Sequence, residues 1–302
     1  MNQVTAIDLG SNSFRVLIYD CLNNEVIGEY NEVVGMADGL NKTNCISQEA
    51  QQRVILAIEA SSKKLKYDPS KAICVTTAAM RLAQNSSEVL EYFKEKTGAN
   101  FKIIDGKEEA RLTLLAVKHA LKREKINSSK FILLDIGGGS TEIIVNDDED
   151  FVSHSFNFGI VTLTQKYDNY EDLYKQLQSR KKEIKNFLVE NNIDTKEYTF
   201  VATAGTPTTI AAIKLGQDFF HYDKNAVNGT KIKLKDLDEC LELFRNSSTS
   251  TITKLVGRGR VEFIEVGVYI YKTIFEILDK NESIVLDDGL REGVAINSCL
   301  LR

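Results

Sequence analysis

The chain has no tryptophan and only two prolines and three histidines in 302 residues. The histidines, His119, His154 and His221, are isolated from one another, so neither a Ser-His-Asp triad nor a histidine-based metal site has support. The five cysteines (Cys21, Cys45, Cys74, Cys240 and Cys299) are scattered, odd in number and form no C-x-x-C pair. That argues against a zinc site or a disulfide framework and for a reducing compartment. No long uncharged apolar run occurs. The most apolar stretch, residues 261–278, contains Glu262, Glu265, Lys272 and Glu276, so it reads as a buried amphipathic helix rather than a membrane span. The N-terminus lacks the basic and apolar regions of a signal peptide, and a cytoplasmic protein is expected. There is no G-x-x-x-x-G-K-[ST] and no strand-to-helix G-x-G-x-x-G, which removes P-loop and dinucleotide chemistry. Positive charge is not in excess either. The net charge is −5, so general affinity for nucleic acid is not expected.

What is present is ordinary for a soluble globular protein: 43% hydrophobic and 27% charged residues, over a length sufficient for two cores. The first half reads as strands 4–9, 13–20 and 25–34, helix 47–65, strand 72–76, helix 86–97, strand 101–104 and helix 107–122. A polar, aperiodic stretch at 123–130 marks a boundary. The second half restarts with strands 131–136, 140–146 and 151–157. Helix 170–191, strand 198–203 and helix 206–215 follow, then helices 235–245, 249–254 and 260–279, strand 283–287 and helix 289–300. Each half opens with an antiparallel hairpin and continues through βα units, which predicts an α/β fold of two duplicated ribonuclease-H-like lobes with a cleft between them.

The duplication is written in the residues. Asp8-Leu-Gly10-Ser11-Asn12-Ser13-Phe-Arg15 recurs about 127 residues later as Asp135-Ile-Gly137-Gly138-Gly139-Ser140-Thr-Glu142. In both copies an apolar strand ends in Asp, turns through Gly, and leaves on a second apolar strand. Glycine lets backbone approach a ligand and present N–H groups to phosphate oxygens. Ser11, Ser13, Ser140 and Thr141 add hydroxyls. Asp8 and Asp135 suit Mg²⁺, which takes one or two carboxylates together with phosphate oxygens and waters. A single copy would read as a routine hairpin turn. Two copies in register favour a phosphate clamp.

Other motifs carry two readings each. Glu108 and Glu109, in Gly106-Lys-Glu-Glu-Ala-Arg111, either complement a helix dipole or place a carboxylate beside an anionic ligand. Gly205-Thr206-Pro-Thr-Thr209 is either a helix start or an anion site. Arg81 either faces solvent or points at phosphate, and Arg258 and Arg260 form a second candidate cationic pair.

Taken in order, these segments, with Thr77-Ala-Ala-Met-Arg81 and Asp288-Gly-Leu-Arg-Glu-Gly293, resemble the exopolyphosphatase/guanosine pentaphosphate phosphohydrolase (Ppx/GppA) family, within the superfamily of acetate and sugar kinases, Hsp70 and actin. The resemblance covers nearly the whole chain. It implies an actin-like ATPase fold with lobes at 1–124, plus a returning C-terminal helix at about 291–302, and at 125–290. It implies hydrolysis of the terminal phosphate of inorganic polyphosphate, short-chain above all, or of pppGpp, or of both. Glu109 would be the general base. Asp135 with Asp8 and Glu142 would organise Mg²⁺ (or Mn²⁺) and the attacking water. Gly10–Ser13 with Arg15, Arg81, Gly137–Ser140, Gly205 and Thr206 would hold phosphates. No nucleic-acid or membrane partner is implied, and a homodimer is compatible. An ATP-dependent small-molecule kinase and a non-catalytic alarmone or polyphosphate sensor are the alternatives. The Glu-Glu-Ala motif weighs against the first and the intact carboxylate set against the second.

Overall fold

The structure, a computed structural model, describes residues 3–148, 150–166 and 170–301. The chain divides into two compact units, Met1–Val117 with Asp288–Arg302, and Lys118–Asp287.

The first unit opens with β1 (Gln3–Leu9), β2 (Ser13–Asp20) and β3 (Glu25–Val33). Then come the one-turn helix α1 (Leu40–Thr43), α2 (Gln48–Leu65), β4 (Ile73–Thr76), α3 (Ala78–Leu82), α4 (Ser86–Thr97) and β5 (Phe101–Ile103). The division falls inside the next helix, α5 (Gly106–Arg123). The sheet order is β3-β2-β1-β4-β5. Its first three strands are antiparallel, and β4 and β5 continue parallel to β1. Helix boundaries follow local chemistry. Ser47 accepts from Ala50 N–H at 3.2 Å and starts α2, and Gly98 adopts a left-handed conformation (φ 79°) to end α4.

The second unit repeats the plan. It contains β6 (Lys130–Ile136), β7 (Thr141–Asp147), β8 (Asp150–Phe156), α6 (Ile160–Lys166), α7 (Tyr170–Glu190), β9 (Thr199–Thr203) and α8 (Gly205–Lys214). After these come α9 (Lys224–Val227), β10 (Thr230–Lys233), α10 (Leu234–Arg245), α11 (Thr249–Val256), α12 (Ile264–Leu278) and β11 (Glu282–Val285). The sheet order is β10-β11-β9-β6-β7-β8. Strands β6, β9 and β11 are parallel and stand where β1, β4 and β5 stand in the first unit. The expected duplicated ribonuclease-H-like α/β plan is therefore observed, with β10 as an added edge strand. β10 (Thr-Lys-Ile-Lys) is short and charged, as edge strands are, and carries no visible strand pattern in sequence. The short helices α1, α3, α6 and α9 were also not legible, since one or two turns show little periodicity.

α13 (Leu290–Leu300) returns to the first unit. Leu290, Val294, Ala295 and Ile296 join Val4, Ala6, Leu17 and Leu112 in its core. A methyl group on Gly293 would lie 1.9 Å from the Leu112 carbonyl oxygen, so this approach of α13 to α5 admits only glycine. Arg291 is buried and bonds Glu292 (2.8 Å), Asn31 (2.7 Å) and Glu29 (2.7 Å), tying the helix to β3. Cys21 and Cys299 form a disulfide across a separation of 278 residues. This corrects the expectation from cysteine count. Two cysteines so far apart in sequence show no pairing signal, and it is the return of α13 beside the end of β2 that brings them together. Cys45, Cys74 and Cys240 are free, and burial pushes the thiols of Cys74 and Cys240 up to about 12. Among the described residues no helix is long and apolar enough to cross a membrane.

Candidate functional site

In the first unit the candidate residues gather at the C-terminal ends of the parallel strands, where open α/β sheets bind ligands. The turn 10–12 follows β1, Arg81 follows β4, and Glu109 follows β5. A run of hydrogen bonds joins these ends. Thr76 Oγ1 donates to the Leu9 carbonyl (2.8 Å), and Ile104 N–H donates to the Thr76 carbonyl (3.0 Å). Arg81 Nη1 donates both to the Ile104 carbonyl (2.8 Å) and to Glu109 Oε2 (2.8 Å). Glu109 is 8% exposed and sits in the first turn of α5, whose start is capped by Asp105 accepting from Glu108 N–H at 2.8 Å. Glu108, the other acid of the pair, points elsewhere. Arg111 holds it at 2.8 Å, and that hydrogen bond keeps its carboxyl below the usual range. Of the two acids, Glu109 is thus the one directed to Arg81.

The turn itself is held from behind. Gly10 N–H donates to the Ser13 carbonyl at 2.9 Å. The carbonyl of Asn12 accepts from Val34 and Gly35, and that of Ser11 from Ala37. Arg53 of α2 grips the same segment through the carbonyls of Val34 (2.6 Å) and Gly35 (2.9 Å) and through Asp38 (2.7 Å). Ser11 and Asn12 are buried. Asp8 and Arg15 face each other in the β1–β2 ladder.

The second unit uses the same turn with different support. Gly137 N–H donates to the Ser140 carbonyl at 2.9 Å. The carbonyls of Gly137 and Gly138 accept from Ile160 (3.0 Å) and Val161 (2.8 Å), the first-turn donors of α6, which have no partner within their own helix. Gly159 makes this possible, because a methyl there would lie 2.5 Å from the Gly137 oxygen. Asp135 and Glu142 are directly opposed in the β6–β7 ladder, so their side chains share a face. Glu142 is 2% exposed and accepts from Ser155 Oγ at 2.6 Å. After β9, Ala204 has φ 71° and ψ −173°, a region populated almost only by glycine, and so stores strain at the entry to α8. A methyl group on Gly205 would lie 3.7 Å from the Arg260 guanidinium, so the guanidinium stands beside the N-terminus of α8. A helix N-terminus and an arginine both favour an anion. Thr206 is buried, with Oγ1 packed on α12 at Gly267.

Among the described residues, no three or more His, Cys, Asp or Glu form a ready-made metal cage. The opposed carboxylates of Asp135 and Glu142 fit an ion that needs only one or two carboxylates and completes its shell with water and phosphate oxygens, as Mg²⁺ does. Like charges directly opposed destabilise a ladder, and a cation on that face relieves them. The first unit has Arg15 at the position equivalent to Glu142, a cation in place of a second anion.

Several contributors were not picked out from sequence. Thr76, Arg53 and Gly159 act by holding backbone, and Ala204 through backbone strain. Thr76 and Ala204 lie in the segments that lead to Arg81 and Gly205, but the role of each of the four is identified only by a contact with sequence-distant chain or by a dihedral angle.

The model of the Ppx/GppA phosphatase family matches residues 20–301. A guanosine-5'-triphosphate,3'-diphosphate pyrophosphatase of Aliivibrio fischeri is 29% identical over 297 residues, covering 96% of this chain. The chain spans 58% of the length of that relative. Among solved structures, the Ppx/GppA family member of Aquifex aeolicus is 26% identical with a TM-score of 0.73, covering 99% of this chain and 98% of its own. An exopolyphosphatase of Cytophaga hutchinsonii shares the fold at 21% identity, with a TM-score of 0.80 and coverage of 98% and 97%.

Proposed function

Because the chain belongs to the Ppx/GppA phosphatase family, we propose that it is a Mg²⁺-dependent phosphohydrolase that removes the terminal phosphate of inorganic polyphosphate, of pppGpp, or of both. The observation that carries this reading is the Glu109–Arg81 pair at 2.8 Å, set at the strand ends beside the Gly10–Ser13 turn. Phosphoryl transfer asks a protein mainly for positioning and charge neutralisation. Arg81 holds one oxygen of Glu109. A carboxylate accepts about four hydrogen bonds in all, so the pair is compatible with Glu109 taking the proton of an attacking water. Gly10–Ser13 with Arg15, and Gly137–Ser140, would receive phosphate oxygens. Gly205, with Arg260 across the start of α8, would receive a further anionic group.

Asp135 and Glu142 would hold the divalent ion. When bound, that ion supplies charge neutralisation to the phosphate oxygens and lowers the cost of deprotonating water. The pair's placement on one face of β6 and β7 supports this assignment.

The test is phosphate release by purified protein with Mg²⁺ on short polyphosphate, long polyphosphate, pppGpp and ATP in parallel. Release from polyphosphate or pppGpp well above that from ATP is expected. Release from none of the four overturns the reading. We also propose a cytoplasmic location, in which cellular reductants would keep the Cys21–Cys299 bridge open. Titration of free thiols in protein trapped at lysis with an alkylating agent tests it: all five cysteines titrate if Cys21 and Cys299 are reduced in the cell, and only the three others if they are bridged.

A further inference from the structure

We propose that the second unit carries a separate binding site for a nucleoside phosphate, at the end of strands β6 and β7 away from the Gly137–Ser140 turn. A surface cavity of about 470 Å³ opens there, between the C-terminal end of α5, the segment 126–129 and strands β6 and β7. This is within the size range of small-molecule sites. Strand β6 runs its full length between the cavity and the turn, a distance of about 20 Å at the usual rise per residue.

The chemistry of the lining defines the ligand. Lys118, Lys122 and Lys125 contribute three ammonium groups, against the single carboxylate of Asp148. The first two are one turn apart on α5 and share a face. Lys118 Nζ is anchored by the Asp148 carbonyl at 3.1 Å. The helix C-terminus adds little opposing charge, because the carbonyls of Leu121 and Lys122 accept from Ile126 (2.9 Å) and Lys125 (3.2 Å). This corner of the molecule therefore attracts phosphate. Leu121, Ile126 and Phe131 add an apolar wall, which phosphate alone does not use.

A second observation points to a ligand that also donates hydrogen bonds. Asn146 lines the cavity, is 1% exposed, and donates from Nδ2 to the Ser129 carbonyl at 2.6 Å. Its Oδ1 is buried with no hydrogen-bond partner among the described residues. Buried polar atoms without partners are rare, and an amide oxygen is satisfied only by a donor. Inorganic phosphate chains in their ionised form offer acceptors alone. A nucleotide offers all three features required: phosphates for the lysines, a flat base for the apolar wall, and base N–H groups for Asn146.

Lys125 supports the assignment. It occupies the residue that terminates α5 with φ 56°, a left-handed conformation that glycine adopts at no cost. A lysine there sacrifices backbone ease and keeps a cation at the cavity mouth.

The experiment uses the α,β-methylene analogue of GDP, which resists hydrolysis, with guanosine and inorganic pyrophosphate as partial ligands. Binding is read by calorimetry and located by hydrogen exchange. The analogue is expected to protect amides within 119–131 and 143–148, and to bind at least tenfold more tightly than either partial ligand. Lys122 and Lys125 are both exposed, so the double variant Lys122→Glu/Lys125→Glu should keep its fold and weaken the analogue by tenfold or more. Asn146→Leu should weaken the analogue while leaving pyrophosphate binding unchanged. Phosphate release without added nucleotide should be the same in the lysine variant as in the parent. Absence of protection in those segments, unaltered affinity in the lysine variant, or pyrophosphate binding as tightly as the analogue would each overturn the proposal.

Discussion

Arg81 Nη1 lies 2.8 Å from Glu109 Oε2 and 2.8 Å from the Ile104 carbonyl oxygen. One nitrogen thus joins the residue that follows β4, the end of β5 and the first turn of α5. The carboxylate is held in one orientation by a group that is itself fixed to the sheet. A carboxylate so placed can be removed with a small change in shape, which makes its role measurable.

Glu109→Gln is expected to lower the turnover of phosphate release by about 10²–10⁴-fold, the usual worth of a general base, with little change in substrate affinity. Arg81→Ala should lower turnover as well, and it should also reduce stability by about 1–3 kcal/mol by removing a charged hydrogen-bond donor from a buried carboxylate. Steady-state kinetics and denaturant unfolding of both single variants and the double variant measure the coupling. Additive losses would detach Arg81 from Glu109.

Asp135→Asn and Glu142→Gln should raise the Mg²⁺ concentration needed for half-maximal phosphate release, and chelation should abolish release until Mg²⁺ is restored. A magnesium titration of each variant checks this. An unchanged requirement in both would remove the pair from the metal site.

Gly159→Ala places a methyl 2.5 Å from the Gly137 carbonyl oxygen and 2.6 Å from Gly138. The turn must move, since backbone cannot yield as a flexible side-chain end can. A loss of about 2 kcal/mol in stability and at least tenfold in turnover is expected, read by thermal unfolding and by phosphate release. Wild-type turnover would show that the turn's position is unimportant.

Asp236 supplies a pH prediction. Burial opposes its charge, but the Lys214 ammonium (2.8 Å) and the Lys233 N–H (2.7 Å) prevail, and its carboxyl is held below its ordinary value of 3.8. A group whose value is depressed by folding stabilises the folded state above its unfolded value and loses that contribution as pH falls through the folded one. Asp236→Asn should therefore cost about 1.5–3 kcal/mol at neutral pH, the worth of hydrogen bonds to a charged group. The cost should stay constant down to about pH 5 and shrink below about pH 4. Denaturant unfolding of both proteins across that range measures it.

Reduction of Cys21–Cys299 should lower stability by about 5 kcal/mol, because the bridge closes a loop of nearly the whole chain. Melting with and without a thiol reductant, with Cys21→Ser as control, reads the effect. A melting temperature indifferent to reductant in the parent would mean that the bridge does not form in solution.

The local order of strands and helices was legible because it rests on short-range physics. Short apolar runs at Ala6–Leu9 and Phe14–Leu17, interrupted only by Asp8 and Arg15, specify strands buried in the core, and Ser47 and Gly98 mark helix ends through their own side chain or lack of one. The duplicated Asp-x-Gly turns were equally visible, since the same tight geometry demands the same residues twice.

The sequence by itself determined the α/β plan, its repetition and the residue types available for binding phosphate. Only the tertiary structure decided which of Glu108 and Glu109 meets Arg81, that Arg53 and Gly159 hold the two turns in place, that Ala204 is strained, and that Cys21 meets Cys299. Each of these depends on contacts between residues far apart along the chain, or on a backbone angle imposed by such contacts. No periodicity or spacing encodes them, because the same residues would serve equally well with other partners until the strands are paired and the helices packed.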